Sequence, residues 1–294
     1  MKTDNAQLML GIPKGSLQDA TIELFRRSGW KINVSSRNYF PSINDLTISC
    51  ALCRAQEMSR YVEGGTLDVG LTGKDWIAEN GSDVHIVTDL VYSKVTTRPA
   101  RWVLAVPQNS EIQTIDDLNG KKISTELVQF TKKYFADRKI SVDVEFSWGA
   151  TEGKVVSGLA DAVVEITETE STIRAHNLRV IAELMQTNTQ LIANHDAWKN
   201  PAKREKIEQI ALLLKGALIA ENLVGLKLNC PKTKLEGVIA LLPSLNAPTL
   251  AALYNTDWVS VETVVSSDEV RDLIPRLLRE GAEGIIEYPL NKVI

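Results

Sequence analysis

Strand-like and helix-like segments alternate along the start of the chain, and this alternation restricts the fold more than any other feature of the sequence. Short apolar runs lie at Leu8–Ile12, Leu46–Leu52 and Leu67–Leu71. Segments with the apolar spacing of an amphipathic helix lie at Gln18–Ser28, Gln56–Glu63 and Asp75–Asn80. Gly81 stands where the last helix should end. Repeated strand, turn and helix favour an α/β fold with a parallel sheet and helices on its faces.

A second group of elements follows the first. Its strands are predicted at Arg101–Val106, Lys121–Ser124, Val142–Phe146 and Ala162–Ile166, and its helices at Thr114–Leu118 and Val128–Asp137. The strand Thr189–Asn194 and the amphipathic helix Lys203–Asn222 then return the chain to the first group. We therefore predict two α/β lobes, residues 1–97 plus 190–222 and residues 98–189, with a ligand-binding cleft between them.

Residues 223–294 form a separate succession of elements. Strands are predicted at Val224–Leu228, Thr249–Leu253, Trp258–Val265 and Gly284–Tyr288, and helices at Lys232–Leu242 and Ser267–Arg279. The order βαββαβ is that of a ferredoxin-like module. By analogy of fold, such a module senses the end product of an amino-acid pathway, and the alternative is a module that only holds subunits together.

Charge and composition argue against several classes of protein. The chain has 33 basic and 37 acidic residues, no basic run and few aromatic residues, which argues against a nucleic-acid partner. The apolar run Ile210–Ala220 contains Lys215 and is too short to span a bilayer. Because no signal-peptide pattern opens the sequence, we expect a cytoplasmic protein without a membrane partner. Cys50 and Cys53 lack a second ligand pair, so they are interpreted as core residues rather than a metal or redox site.

The segment Asp161–Asn177 has the pattern of a phosphate-binding turn, because an apolar strand runs into acidic and hydroxyl residues and then into a helix-like stretch. The hydroxyl residues at the helix start are Thr169, Ser171 and Thr172. Hydroxyl and backbone N–H groups at this position favour an anion. The preceding carboxylates, Glu165 and Glu168, suit a sugar phosphate because they can accept hydrogen bonds from ribose hydroxyls or share a Mg²⁺ ion. An ordinary capped helix after a solvated acidic turn has the same pattern.

Five motifs follow one another along almost the whole chain. They are Leu10–Leu17 (Leu-Gly-Ile-Pro-Lys-Gly-Ser-Leu), Arg54–Met58 (Arg-Ala-Gln-Glu-Met), Asp68–Asp75 (Asp-Val-Gly-Leu-Thr-Gly-Lys-Asp), Ala160–Thr172 and Glu287–Lys292 (Glu-Tyr-Pro-Leu-Asn-Lys). No one of them is specific alone. Together, in this order and with the βαββαβ tail, they closely resemble the long form of ATP phosphoribosyltransferase, the first enzyme of histidine biosynthesis.

The resemblance implies a two-lobed catalytic unit like a periplasmic binding protein, with a C-terminal ferredoxin-like regulatory domain. It implies transfer of phosphoribosyl from 5-phosphoribosyl-1-diphosphate to N1 of the adenine of ATP, with release of pyrophosphate and a requirement for Mg²⁺. Such a reaction needs cations at the pyrophosphate and close placement of the adenine nitrogen, and it needs no covalent nucleophile. No side chain is therefore assigned as a single acid or base. The scattered histidines, His85, His176 and His195, receive no catalytic role.

Two groups of site residues carry over from the family onto this sequence. The phosphoribosyl donor is expected at Glu165, Thr167, Glu168, Thr169, Glu170, Ser171 and Thr172. ATP or pyrophosphate is expected at Lys14, Gly15, Arg54, Thr72 and Gly73. Lys14 and Arg54 are the cations in this interpretation, and the alternative for each is a solvated surface charge. Mg²⁺ is expected to bind mainly through the substrates.

Glu170 departs from the family, which usually has glycine at this position of the phosphate turn. The substitution removes the conformational freedom of glycine and adds a negative charge beside the expected phosphate. Our hypothesis is that the Glu170 side chain turns to solvent while the backbone N–H groups still bind phosphate. Weak catalysis is the other possibility.

For the tail, the resemblance implies feedback inhibition by histidine bound between subunits, in a homo-oligomer whose dimers assemble into hexamers. The matching residues are Asn229, Thr249 and Ala282. Asn229 offers only a neutral amide to the ammonium group of an amino acid, where a carboxylate would bind more strongly.

Two other functions fit parts of the sequence. Prephenate dehydratase combines a two-lobed unit with a similar tail, and Thr96-Thr97-Arg98 faintly resembles its Thr-Arg-Phe signature, with Pro99 in place of the phenylalanine. A non-enzymatic small-molecule-binding protein would share the two-lobed architecture. The phosphate-turn pattern at Asp161–Thr172 and the absence of a signal-peptide pattern favour the transferase.

Overall fold

The computed structural model describes residues 7–35, 38–92, 99–149, 151–243 and 247–294. The chain consists of two compact units, Met1–Ala211 and Leu212–Ile294, and the boundary between them falls within a long helix. Within the described ranges, no helix combines the length and the apolar character needed to cross a membrane.

Strands and helices alternate through the first unit. The first group is β1 Leu8–Lys14, α1 Gln18–Ser28, β2 Ile32–Asn33, β3 Ser42–Ile43, β4 Ile48–Arg54, α2 Ala55–Glu63, β5 Val69–Gly73, α3 Lys74–Asn80 and β6 His85–Leu90. The second is β7 Ala100–Pro107, the 3₁₀ turn Ile115–Leu118, β8 Lys121–Thr125, α4 Val128–Ala136, β9 Val142–Phe146, α5 Thr151–Val156, β10 Ala162–Thr167, α6 Ser171–Ala175 and β11 Leu178–Thr187. The chain continues with β12 Thr189–Ala193, α7 His195–Lys199 and α8 Pro201–Ile219.

The first sheet has the strand order β4-β1-β5-β12-β6. β1 pairs in parallel with β4 and β5, whereas β12 runs antiparallel to β5 and β6. The predicted parallel pairing is therefore present in β4, β1 and β5, and the two antiparallel strands make the sheet mixed. Because β12 follows all the strands of the second sheet, the chain crosses back to the first sheet as the sequence predicted. β6 was not predicted, since polar His85, Thr88 and Asp89 interrupt its apolar pattern.

The second sheet has the order β11-β7-β10-β8-β9. β10 pairs in parallel with β8 and antiparallel with β7, so it lies inside the sheet with Val163 and Val164 fully buried. β11 pairs with β7 through two register shifts, between Val180 and Ala182 and between Glu183 and Met185. Such bulges break the two-residue alternation on which strand prediction relies, and β11 was not predicted from the sequence.

The second unit contains β13 Leu223–Pro231, the 3₁₀ turn Lys232–Lys234, α9 Leu235–Leu241, β14 Thr249–Ala252, β15 Trp258–Ser266, α10 Ser267–Glu280 and β16 Glu283–Pro289. Its sheet has the order β14-β15-β13-β16. The predicted βαββαβ order is confirmed. Tyr288, from the last sequence motif, lies over Gly225, where a Cβ atom would stand 2.2 Å from the ring. The Tyr288 hydroxyl hydrogen-bonds to the Glu262 carboxylate, which raises the pKa of the tyrosine.

Asp75, in the first turn of α3, connects the first sheet to the second. Its side chain is almost fully buried, and its Oδ2 accepts a hydrogen bond of 2.8 Å from the indole N–H of Trp102 on β7. The backbone N–H of Asp75 donates to the Thr187 hydroxyl at the end of β11, at 3.2 Å. Burial raises the pKa of the Asp75 carboxyl. A Cβ atom at Gly73 would lie 2.0 Å from Asp75 Oδ1, so the carboxyl group fits only because residue 73 has no side chain.

We expect Trp102→Phe to lower the free energy of unfolding of the first unit by about 2 kcal/mol, because a buried carboxyl group loses its indole donor. Thermal unfolding measures the change, and Trp258→Phe in the second unit is the matched control. An unchanged unfolding midpoint in Trp102→Phe would show that the Asp75 contact does not stabilise the unit.

Candidate active site

A cavity of about 530 Å³ lies between the two sheets of the first unit. From the first lobe it is lined by Pro13, Lys14, Gly15, Ser16, Leu17, Arg54, Ala55, Gln56, Gly73, Asp75 and Trp76. From the second lobe it is lined by Ala100, Trp102, Glu126, Ile166 and Glu168. The remaining wall consists of Pro99 and of residues 91–92 and 187–189. The volume is typical of a site for a small organic ligand.

The parallel pairing of β1 with β4 places two cations at one edge of the first sheet. Lys14 and Arg54 are the last residues of their strands and are direct partners in the strand register. Both side chains are exposed and both residues line the cavity. The Lys14 ammonium lies 4.3 Å from the centre of the Tyr39 ring, and the Arg54 guanidinium lies 5.8 Å from the Trp148 ring. This edge of the first lobe can therefore bind an anionic group of a ligand.

The other predicted first-lobe residues have different environments. Gly15 lines the cavity with a φ of +116°, a backbone conformation that favours glycine. Gly73 lines it at the end of β5. The structure does not bring the Thr72 side chain to the cavity, because this side chain is fully buried and donates a 2.7 Å hydrogen bond to the Ala55 carbonyl. Thr72 supports the strand end that carries Gly73.

The predicted phosphate turn connects β10 to α6. The Thr167 hydroxyl accepts a 2.7 Å hydrogen bond from the backbone N–H of Glu170, which closes the turn. Exposed Thr169 and Ser171 have their hydroxyls 3.2 Å apart, and Thr172 is exposed in the first turn of α6. Among the residues predicted for the donor, Glu168 lines the main cavity.

Glu170 adopts the left-handed conformation that glycine would adopt here, with φ of 60° and ψ of 12°. Its carboxylate does not turn to open solvent, so that part of our hypothesis was wrong. Oε1 lies 2.7 Å from the Arg101 guanidinium and Oε2 lies 3.6 Å from that of Arg174, while the Glu170 side chain is 27% exposed. Arg101 also contacts Glu183 on β11, at 3.3 Å. The ion pairs neutralise the added carboxylate and hold the turn in its shape.

Three carboxyl groups lie near one another between the turn and the strand ends of the second sheet. Burial raises the pKa of Glu165 to about 7, and the charges of Glu152 and Glu126 contribute to the shift. Burial also raises the pKa of Glu126, which lines the cavity directly after β8. Within the described residues, no group of three or more His, Cys, Asp or Glu side chains is arranged to hold a metal ion.

Several of these residues were missed from the sequence. Asp75 stood at a predicted helix start, and Glu126 follows a predicted strand. Because ligands bind beyond the carboxyl ends of parallel strands, the position of Glu126 after β8 was the signal that could have found it. Arg101 and Glu152 had no such signal, since only the folded chain brings them to the turn.

In the second unit, the structure places Asn229 beside the start of β16, in register with Glu283. Ala282, which is buried, precedes that strand directly. Ser260 pairs with Asn229 in register from β15, and its buried hydroxyl has no hydrogen-bond partner among the described residues. Thr249 lies on β14, at the opposite edge of the sheet, and is exposed. Asn229 and Ala282 are thus brought together, and Thr249 is not.

Comparison with known families identifies this architecture. A family model described as HisG, ATP phosphoribosyltransferase, matches residues 54–216, and a model of the HisG C-terminal domain matches residues 220–292. The chain belongs to the ATP phosphoribosyltransferase family. The C-terminal domain makes it the long form of this pentosyltransferase, which catalyses the first step of histidine biosynthesis.

Individual relatives in the ATP phosphoribosyltransferase family agree with this assignment. The ATP phosphoribosyltransferase of Desulfosudis oleivorans is 72% identical over 287 residues, which cover 98% of this chain and 99% of that protein. That of Solidesulfovibrio magneticus is 67% identical over 294 residues and covers both chains completely. Among solved structures, a chain of the ATP phosphoribosyl transferase (HisG:HisZ) complex from Thermotoga maritima has a TM-score of 0.61 and 25% identity, covering 71% of this chain and 97% of that chain.

For the turn of this ATP phosphoribosyltransferase, we expect Arg101→Met to raise the KM for the phosphoribosyl donor roughly threefold to tenfold. The substitution leaves the Glu170 carboxylate without its closest cation, and a left-handed non-glycine residue costs about 1–2 kcal/mol. In a Glu170→Gly background the same Arg101→Met change should have less than about a twofold effect, because glycine adopts this conformation without strain. An equal effect of Arg101→Met in both backgrounds would mean that Arg101 contacts the donor itself.

The raised pKa of Glu165 predicts a pH dependence of stability. Its folded pKa of about 7 lies above the ordinary 4.5, so the folded protein holds this proton more tightly than the unfolded chain, and stability is lost as pH rises from 4.5 through 7. Glu165→Gln should remove this pH-dependent loss in the free energy of unfolding, which is on the order of 3 kcal/mol at about 1.4 kcal/mol per pKa unit. In thermal unfolding, the stability of Glu165→Gln relative to the wild type should be higher at pH 8 than at pH 5. The same stability difference between variant and wild type at both pH values would contradict the raised pKa of Glu165. Glu205→Gln, on the exposed face of α8, is the control.

Proposed function

We propose that this enzyme transfers the phosphoribosyl group of 5-phosphoribosyl-1-diphosphate to N1 of the adenine of ATP, giving phosphoribosyl-ATP and pyrophosphate, and that free histidine inhibits it. One observation carries the proposal. A single cavity has Lys14 and Arg54 at neighbouring strand ends on one wall, and Glu168, from the turn after β10, on the other. Cations on one wall and the first residue of the predicted phosphate turn on the other suit a substrate that carries phosphate at one end and diphosphate at the other.

The chemistry requires separation of charge between C1′ of the ribose and the leaving diphosphate. The C1′–oxygen bond breaks with its electron pair going to pyrophosphate, and the adenine N1 lone pair forms the new bond to C1′. Lys14 and Arg54 stabilise the negative charge that develops on the leaving group. Glu165 accepts hydrogen bonds from the ribose hydroxyls, and the backbone N–H groups of Ser171 and Thr172 bind the 5-phosphate. First-turn N–H groups have no partner within their helix, which supports this role.

Mg²⁺ would neutralise diphosphate charge when it is bound with the substrates. The cation prefers oxygen ligands and commonly takes one or two carboxylates together with substrate phosphates. Glu126 and Glu165 fit this preference, because they are carboxyl groups near enough to each other for their charges to interact. A divalent cation nearby would stabilise their ionised forms.

Histidine binding is proposed at the edge of the second unit formed by Asn229 and Ala282. The unpartnered hydroxyl of Ser260, opposite Asn229 in the strand register, supports a polar ligand there. Thr249 would have to come from another subunit, which agrees with a histidine site between subunits. The homo-oligomer of dimers assembling into a hexamer, and the cytoplasm as the compartment, are parts of the same proposal.

The test is formation of phosphoribosyl-ATP from ATP, the donor and Mg²⁺, followed by absorbance with pyrophosphatase present. We expect product whose formation histidine suppresses. Lys14→Met should lower kcat/KM about tenfold to a hundredfold, because a hydrogen bond to a charged group contributes about 1.5–3 kcal/mol. Lys31→Met removes an exposed lysine of the same lobe outside the cavity and should leave kcat/KM unchanged.

Two outcomes divide the parts of the proposal. Product that histidine does not suppress would retain the transferase and remove the sensor. Binding of the donor without any product would favour a binding protein. Thr96-Thr97-Arg98, the basis of the prephenate dehydratase alternative, lies outside the described residues.

A further inference from the structure

Two large aromatic side chains are exposed side by side after β9. Phe146 is 56% exposed and Trp148 is 63% exposed, with ring centres 6.0 Å apart. Trp148 has the largest exposed fraction of any tryptophan in the described part of the chain. Adjacent exposed aromatic rings leave apolar area in water and are typical of binding surfaces.

The chain around this pair is fixed to the second sheet, so the rings are presented by an ordered segment. The backbone N–H of Ser147, between the two rings, donates a 2.9 Å hydrogen bond to the carbonyl of Thr125 at the end of β8. The backbone N–H of Gly149, directly after Trp148, hydrogen-bonds to the Glu126 carboxylate. Gly149 has a φ of +65°, a conformation that favours glycine.

A second cavity, of about 380 Å³, opens beside the aromatic pair. It is lined by Arg60, Glu79, Asn80, Val128 and Gln129 together with Phe146 and Trp148. Gln56, Trp76 and Glu126 line both this cavity and the main one, so the two adjoin. A ligand that extends past these three residues would have one part in each cavity.

The chemistry of this second cavity selects a flat heteroaromatic group joined to an anion. The face of Trp148 offers stacking, and Gln56 and Gln129 carry amides that can pair with the donors and acceptors of a base. The Arg54 guanidinium lies over the Trp148 ring, 5.8 Å from its centre, and lines the main cavity, so a cation stands near the platform for the phosphates of a nucleotide. Glu126, in the shared wall, lies near Glu165, because Thr125 and Val164 are partners in the parallel pairing of β8 with β10 and these two glutamates are the next residues along the chain.

We propose that Phe146 and Trp148 form the stacking platform for the purine ring of the nucleotide substrate. This inference rests on the proposed function and names the base-binding part of the same site. Glu126 accepts a hydrogen bond from the Gly149 N–H directly after Trp148, and it therefore lies between the platform and the position proposed for the donor ribose near Glu165. The platform therefore positions the attacking ring nitrogen, and it acts on nucleotide affinity rather than on bond breaking.

The experiment measures binding of Mg-ATP and of inorganic tripolyphosphate to the full chain by titration calorimetry, without the phosphoribosyl donor. Trp148→Ala should weaken ATP binding roughly tenfold and leave tripolyphosphate binding unchanged, because only ATP carries a base. Trp148→Phe keeps an aromatic face and should weaken ATP binding less than threefold. Trp258→Phe, in the second unit, is the matched control and should bind ATP as the wild type does.

Fluorescence gives an independent readout of contact with the ring. ATP should quench tryptophan emission of the wild type and of Trp258→Phe, and most of the quenching should be lost in Trp148→Phe. Wild-type affinity for ATP in Trp148→Ala would overturn the platform, as would equal weakening of ATP and tripolyphosphate. If ATP binds only with the donor present, the KM for ATP in Trp148→Ala decides by the same criterion.

The outcomes separate this inference from the proposed function. A wild type that forms no phosphoribosyl-ATP, but whose ATP binding depends on Trp148, would retain the platform and remove the transferase. A wild type that forms product, with an unchanged KM for ATP in Trp148→Ala, would retain the transferase and overturn the platform.

Discussion

The buried hydrogen bond between the carboxyl group of Asp75 and the indole of Trp102 is the contact on which the arrangement of the two lobes depends. An isolated buried carboxyl group is unfavourable, so it is retained where polar partners surround it. Here the partners come from a different sheet, Trp102 on β7 and Thr187 at the end of β11, where the chain leaves that sheet. The lobes are thus joined by a polar contact at the wall of the cavity, and Gly73 is required because any side chain there would occupy the position of the carboxyl group.

The cavity collects its chemistry from strand ends. Parallel strands end on the same edge of a sheet, and the register of β1 with β4 makes Lys14 and Arg54 neighbours although forty residues separate them. In the second sheet, Glu126 follows β8 and Glu168 follows β10, two strands that are also parallel neighbours. Cations from one lobe and carboxylates from the other consequently face a common space. This arrangement suits a substrate with one anionic end that binds the cations and another end that binds the carboxylates directly or through a metal ion.

Local sequence patterns predicted what depends on local physics. The alternation of strands and helices, the return of the chain to the first sheet and the βαββαβ tail all follow from apolar periodicity, and the structure confirms them. The mixed pairing of β12 and the bulged strand β11 depend on long-range partners and were not found. At the candidate site, Lys14 and Arg54 were predicted from the resemblance to the family. The partner of Glu170 was not predicted, because Arg101 is distant in the sequence and only the folded chain brings the two residues together. Trp148 carried no signal either, because exposure is a property of the folded chain.

The left-handed conformation of Glu170 has a consequence for how this turn responds to its surroundings. A glycine holds such a shape by its own conformational freedom, whatever the composition of the solvent. Here the hydrogen bond to Thr167 is joined by partly exposed ion pairs with Arg101 and Arg174. Charges of that kind are screened as ionic strength rises, with a Debye length of about 10 Å at 0.1 M salt and about 3 Å at 1 M. The same charge contacts that let a glutamate replace a glycine therefore make the geometry of this turn sensitive to salt, a dependence that a glycine turn would lack.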